Sequence, residues 1–255
     1  MFIQKISIII KTKVNKDKLY DEFNLLLSYY RGNGQTQGNI ESQYIKRNKI
    51  VSLPYTLEKK SLSKKYNNKY VQDQIDKIEK LSGSRISIKN LGKTSSEYKK
   101  PCICCKSEFY ILITNYISIH SPLTCGTCNK SVPLYKLPKF YDFGYMPILS
   151  WETNYQACDS LQMNCEVGER WSLNQMQETK SPLSKQGLDI CKQIEEQTTI
   201  PTFYHLYNYR KNSGDDKNRL CPNCKKKWTL KTQLHNLYDF KCDNCRIIST
   251  ISTNT

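Results

Sequence analysis

The sequence predicts an α+β protein: a small N-terminal α/β sheet domain, a central zinc ribbon, a helical middle region and a C-terminal zinc ribbon. Three observations carry this. Residues 1–91 alternate β-branched apolar runs with helical periodicity. Eight of the 12 cysteines fall into four Cys-x-x-Cys knuckles, arranged as two pairs. Residues 140–210 space their apolar side chains as helices do. The implied divisions are 1–95, 96–139, 140–211 and 212–255.

In the first segment, Phe2 to Lys11 is β-branched and reads as a strand. From Asp17 to Tyr30, the residues Leu19, Phe23, Leu26, Leu27 and Tyr30 recur at helical spacing, with Asn15 as a cap. Gly32 to Gly38 reads as a flexible loop. Asn39 to Glu58 forms one strand or a hairpin turning near Arg47-Asn48, and Pro54 favours an edge position. Val71, Ile75 and Ile78 mark a second helix, and Arg85 to Leu91 a last strand. The order β-α-β(β)-α-β suggests a sheet covered by two helices, with a ferredoxin-like topology as the expectation.

Gly92 to Lys100 is a polar linker, after which Glu108 to Tyr116 and Ser131 to Leu137 read as strands of a ribbon. Trp151, Tyr155, Cys158, Leu161 and Cys165 lie close to one helical face. Ser181-Pro182 is an N-cap followed by proline at the first helical position, opening a helix that ends near Pro201. Asn212 to Asp216 is a linker into the second ribbon.

The first knuckle pair is Cys102/Cys105 with Cys125/Cys128, and the second is Cys221/Cys224 with Cys242/Cys245. The gaps of 19 and 17 residues match the spacing of four-cysteine zinc sites. A Cys-x-x-Cys turn aims two sulfurs at one point, and two facing turns complete a tetrahedron. Four protein ligands leave no open position, so both zinc ions are expected to be structural. Cys104 inside the first knuckle is either a bystander or the replacement for a neighbouring ligand. No knuckle is followed by glycine: Asn129 tolerates the left-handed conformation that closes such a turn, and Lys106, Lys225 and Arg246 accept it less readily. Cys158, Cys165 and Cys191 read as buried thiols on helical faces.

The formal charge of +16 is unevenly placed. Residues 1–100 carry 21 basic against nine acidic side chains, whereas residues 151–200 carry four against eight. Two Zn2+ ions on eight thiolates lower the total to about +12. Excess positive charge attracts phosphate backbones; a Lys- and Asn-rich composition produces the same surface with no partner at all. The second ribbon concentrates Lys225, Lys226, Lys227 and Lys231, with Arg246 after its last knuckle. An exposed Trp228 stacks on a base; packed in the ribbon core, it leaves only the lysines. DNA or RNA is the expected partner, and a protein partner for an adaptor or immunity-type role is the alternative.

Enzyme signatures fail on inspection. Pro101-Cys102-Ile103-Cys104-Cys105 matches half of a zinc-deaminase motif, but the first histidine, His120, lies downstream of it. His205 and His235 have no motif partners, and Glu169-Arg170-Trp171 reads as a helix-terminal ion pair beside a core tryptophan. The expectation is a non-enzymatic protein. Met1 to Ile10 interrupts its apolar run with Gln4 and Lys5 and reads as a strand, which with the absence of a membrane-length apolar segment predicts a cytoplasmic protein.

Tyr238-Asp239-Phe240-Lys241-Cys242-Asp243-Asn244-Cys245-Arg246, with Cys221-Pro222-Asn223-Cys224 before it, resembles a bacterial family, domain of unknown function 2310. The similarity extends through Cys158, Leu161-Gln162, Cys165, Gly168-Glu169-Arg170-Trp171 and Ser184 to Gly187. It implies zinc ribbons and an association with nucleic acid, and supplies no catalytic residue.

Overall fold

The computed structural model describes residues 1–94, 98–140, 144–209 and 216–251. It divides into two compact units: Met1–Cys102 with Ile119–Ser121 and Lys130–Met146, and Ile103–Ser118 with Pro122–Asn129 and Pro147–Thr255.

The first unit runs β1 (Phe2–Ile9), α1 (Lys16–Gly32), β2 (Gln37–Lys46), β3 (Lys49–Thr56), α2 (Lys69–Ser82) and β4 (Ser87–Lys93). Its sheet has the order β2-β3-β1-β4 with every neighbour antiparallel, the split β-α-β order of ferredoxin-like folds. Asn15 Oδ1 accepts from the N–H groups of Asp17 and Lys18, starting α1 at its expected cap. Asn68 Oδ1 does the same for Val71, and Gly83 ends α2 in the left-handed conformation. Ile6 and Ile8 of β1 and Ile50 of β3 meet Leu19, Phe23, Leu26, Val71 and Ile78 in one core. Both helices therefore cover the same face of the sheet.

Two local features differ from what the sequence predicts. Pro54 lies in β3, an internal strand rather than an edge. It is accommodated because the β2–β3 register shifts between Gln37 and Ser42, so the ladder does not need its missing N–H. The Gly32–Gly38 segment is buried, not a loose loop. Asn33 Nδ2 donates to Gln35 Oε1 and to the Tyr66 carbonyl, and Gln35 Nε2 donates to the Ser61 carbonyl. Gly34 is at φ +67°, and a Cβ there would lie 2.7 Å from the Leu134 Cβ, so only glycine fits.

The second unit contains β5 (Tyr110–Leu112), β6 (Leu123–Cys125), α3 (Met146–Asn164), α4 (Glu169–Gln177), α5 (Pro182–Thr198), β7 (Thr202–His205), β8 (Thr229–Leu234), β9 (Tyr238–Cys242) and β10 (Ile247–Ser249). Its strands form one six-stranded sheet in the order β6-β5-β7-β10-β9-β8. β7 pairs in parallel with β5 on one side and with β10 on the other. The hairpins that carry the two cysteine pairs are therefore halves of a single sheet. The return strand of the first hairpin is Leu123–Cys125 rather than Ser131–Leu137; Ser131 makes an isolated bridge to Pro101, and Leu134–Lys136 is a 3-10 turn.

α5 opens as its sequence predicts, with Ser181 Oγ accepting from the Ser184 N–H ahead of Pro182. Gly187 lets this helix press on the sheet: a Cβ would fall 2.3 Å from Tyr204 Cε2 and 2.9 Å from Trp151 Nε1. Cys158 and Cys191 are buried, but Cys165 is exposed because α3 stops one residue before it. Most of the expected linker at Asn212–Asp216, and the middle of that at Gly92–Lys100, lie outside the described residues. Among the described residues, no helix is long and apolar enough to cross a membrane.

Candidate metal centres and the basic ribbon surface

Three of the four knuckles close in the same way. The chain turns over Cys125–Cys128, Cys221–Cys224 and Cys242–Cys245, and the next residue takes a left-handed conformation: Asn129 at φ 53°, Lys225 at 59° and Arg246 at 53°. The Asn129 and Lys225 N–H groups return to the carbonyls of Cys125 and Cys221. A non-glycine residue in this region costs about 1–2 kcal/mol, a strain that metal ligation has to exceed.

The knuckle at Cys102 is different. Pro101 bridges Ser131, and the Cys102 N–H donates to the Ser131 carbonyl at 2.7 Å, so the chain enters extended. Lys106 does not adopt the left-handed turn. Alternate residues of an extended chain face the same way, which puts Cys102 and Cys104 together. Cys102, Cys104, Cys125 and Cys128 accordingly form one group, with their sulfurs within 4.8 Å of one another. Cys104 stands where spacing alone puts Cys105, and Cys105 is exposed.

Cys221, Cys224, Cys242 and Cys245 form the second group, again within 4.8 Å. Cys224 and Cys242 sulfurs are 3.6 Å apart, close to the roughly 3.8 Å edge of a tetrahedron with metal–sulfur bonds of about 2.3 Å. The Lys226 N–H holds the Cys224 thiol down to about 7, whereas burial pushes Cys242 and Cys245 up. A divalent cation resolves that conflict by taking four thiolates at once. Asn223 Nδ2 reaches Cys245 Sγ at 3.5 Å, and Ser107 Oγ lies 3.0 Å from Cys125 Sγ, so each group has a polar side chain beside a ligand. Both groups fit a metal ion.

The proposed nucleic-acid residues separate into two sets. Lys225, Lys226, Lys227 and Lys231 are exposed. Trp228 is 3% exposed, stacked on Phe240 at 5.0 Å, with Nε1 donating to the Arg219 carbonyl. The Arg219 guanidinium covers its ring at 4.9 Å. Arg246 is turned inward as well: its guanidinium makes two bonds to Glu195, of 2.8 and 2.6 Å. The pair lowers the Glu195 pKa and raises that of Arg246. Trp228 and Arg246 thus hold the ribbon together, and the lysines form its surface.

Each histidine sits in a packing role. His120 meets Tyr98 edge-on, His205 meets Tyr238, and His235 Nε2 lies 2.6 Å from the Gly126 carbonyl. The last contact ties the β8–β9 turn of one hairpin to the Cys125–Cys128 knuckle of the other. Sequence reasoning did not find this tie or the bridging role of β7. The run Phe203 to Tyr207 reads as a strand in the sequence, and a strand forms at Thr202–His205, but nothing local names its two partners. Trp171, expected in a core, is 59% exposed near the start of α4.

Residues 104–207 match a domain of unknown function, DUF2310. Residues 1–92 and 210–255 match two others, DUF8589 and DUF8594. Two proteins of Haemophilus influenzae, each described as an uncharacterized protein, are 39% identical to the chain over 145 residues, 56% of its length. The match spans 71% of one relative and 56% of the other. No solved structure matches. On the strength of the DUF2310 match and of a relative covered over more than two thirds of its length, the chain belongs to the DUF2310 family.

Proposed function

We propose that the protein is a non-enzymatic, cytoplasmic nucleic-acid-binding protein in which each four-cysteine group holds a structural zinc ion. All-thiolate tetrahedral donor sets suit zinc, and they leave no position for a substrate or a reactive water. The observation that carries the binding half is the exposed run Lys225–Lys227 on the outside of a metal-clamped turn. The Cys221 N–H donates to the Lys226 carbonyl, and the Lys225 N–H to the Cys221 carbonyl, so the metal group fixes the backbone that presents these charges. Lysines on a rigid turn meet phosphates without first losing backbone entropy.

The test is oligonucleotide binding by the zinc-loaded chain across a salt series, with Lys225→Gln, Lys226→Gln and Lys227→Gln combined. Each lost phosphate contact is expected to reduce the logarithmic salt slope by about 0.7–0.9. Unchanged affinity and slope would remove this ribbon from the interface.

A protein partner, for an adaptor or immunity-type role, is the second reading. The observation favouring it is an apolar groove of about 520 Å³ between α3, α4 and α5, lined by Ala157, Leu161 and Leu183 with the exposed Trp171 at its side. A stoichiometric protein captured by the wild-type chain and released by Trp171→Ala, with no nucleic acid bound, would establish this reading over the first.

A further inference from the structure

We propose that the open face of the four-stranded N-terminal sheet binds an unpaired nucleic-acid strand. The inference rests on the nucleic-acid reading above and adds a second surface with its own ligand class. Because Ile6, Ile8 and Ile50 point into the helix-covered core, alternate residues of each strand point the other way. Register then maps that outer face. Lys46, Lys49 and Ile9 form one row across β2, β3 and β1; Tyr44, Val51, Ser7 and Ser87 form the next; Ser42, Leu53, Lys5 and Lys89 form a third.

Charge balance differs between the two sides of this unit. The four strands contain five lysines and one acidic residue, Glu41, whereas the six acidic residues of α1 and α2 are matched by six basic ones. Four of those five lysines belong to the outer rows. Moreover, Lys5 is paired with Lys89, and Lys46 with Lys49, directly across neighbouring strands. Like charges placed opposite one another destabilise a sheet. A bound polyanion turns this repulsion into attraction.

The two lysine pairs lie at diagonally opposite corners, and what lies between them selects the kind of polyanion. Tyr44 is 44% exposed and Ile9 47%, with Leu53 half-buried two positions along β3, whereas Val51 and Ser7 of the central row are buried. Lys5 and Ile9 are four residues apart in β1, about 13 Å along the strand, which leaves room for bases over the central rows and phosphates over the pairs. A tyrosine on a sheet face stacks on the faces of unpaired bases; in a duplex those faces are covered by neighbouring pairs.

Fluorescence anisotropy of the full zinc-loaded chain tests this with labelled single-stranded RNA, single-stranded DNA and a duplex of the same sequence. Lys5→Gln with Lys89→Gln is expected to weaken single-strand binding several-fold and to cut the logarithmic salt slope by about 1.4. The same variant is expected to keep or raise its melting temperature, because a repulsive pair is gone; a misfolded variant would lose both. Tyr44→Ala is expected to weaken binding by about 5- to 100-fold. Whichever single strand binds more tightly identifies the sugar. Wild-type affinity in both sheet variants, with loss in the Lys225–Lys227 variant, overturns the sheet surface and leaves the ribbon. No binding to any probe by the wild-type chain overturns both, and preference for the duplex overturns the unpaired-strand assignment.

Discussion

Single residues decide how each metal group closes. Asn129, Lys225 and Arg246 adopt the left-handed turn that completes a Cys-x-x-Cys knuckle, and Lys106 does not. The consequence is that Cys104 replaces Cys105 beside Cys102. Cys104→Ser is expected to lower bound metal from about two ions per chain toward one, while Cys105→Ser leaves it at two, as read by elemental analysis of dialysed protein. The reverse outcome would restore the spacing-based assignment. The Glu195–Arg246 pair allows a second residue-level expectation. Arg246 lowers the Glu195 pKa in the folded protein. A depressed folded value adds stability above the unfolded carboxylate pKa and loses it as pH falls through the folded one. The side chains are 29% and 36% exposed, so the contribution is screened to under about 1 kcal/mol. Glu195→Gln is therefore expected to melt slightly below wild type at pH 7, with the difference shrinking as pH falls through the depressed folded pKa of Glu195. A melting deficit that persists in acid would assign the effect to packing.

Among the elements, β7 has the largest consequence for its length. Its four residues pair with both cysteine-bearing hairpins, and Phe203 joins Ile111, Tyr238 and Ile248 in the core between them. Cations pack on the same ring: Lys241 Nζ lies 4.4 Å from its centroid and the Arg246 guanidinium 5.5 Å. Phe203→Ala removes apolar volume at the point where the halves of the sheet join. It is expected to cost about 3–5 kcal/mol in denaturant unfolding and to raise amide exchange in both β5 and β10. Loosening confined to one hairpin would show that β7 does not couple them. This element also marks where the sequence stops being legible. α1 and α2 are long enough for periodicity to declare them, α1 with its Asn15 cap, and the β2–β3 hairpin turns at Arg47-Asn48 as composition suggests. A four-residue strand pairing in parallel with partners some 40 and 90 positions away leaves no local trace. Local spacing brought seven of the eight knuckle cysteines into the two groups, but not Cys105, because the extended entry of the chain along Ser131 is a non-local feature; Trp228 and Arg246 were ambiguous because their partners, Phe240 and Glu195, are not local either.

At the scale of the molecule, the candidate metal ligands are distributed unevenly over the fold. The core of the N-terminal sheet is built from apolar side chains, whereas the six-stranded sheet carries cysteines of both groups. Cys125 ends β6 opposite Tyr110, and Cys242 ends β9 opposite Ile247, with β5, β7 and β10 running between these two ends. A structural zinc site contributes about 10–16 kcal/mol of apparent binding free energy, as much as or more than the 5–15 kcal/mol net stability of a typical domain. On the proposal that each group holds zinc, neither hairpin can lose its ion and keep its strands, and a shared sheet transmits the loss. Removing one ligand of the second group, by Cys242→Ser, is expected to lower metal occupancy at the first group too and to raise amide exchange in β5, β6, β7, β9 and β10. Exchange in β1, β3 and the buried faces of α1 and α2 is expected to stay slow, because no thiolate holds that core. Hydrogen exchange by mass spectrometry, with metal quantified on the same sample, reads both quantities. Full occupancy at Cys102, Cys104, Cys125 and Cys128 with protected β5 and β6 in that variant would show that the two centres fold independently despite sharing a sheet.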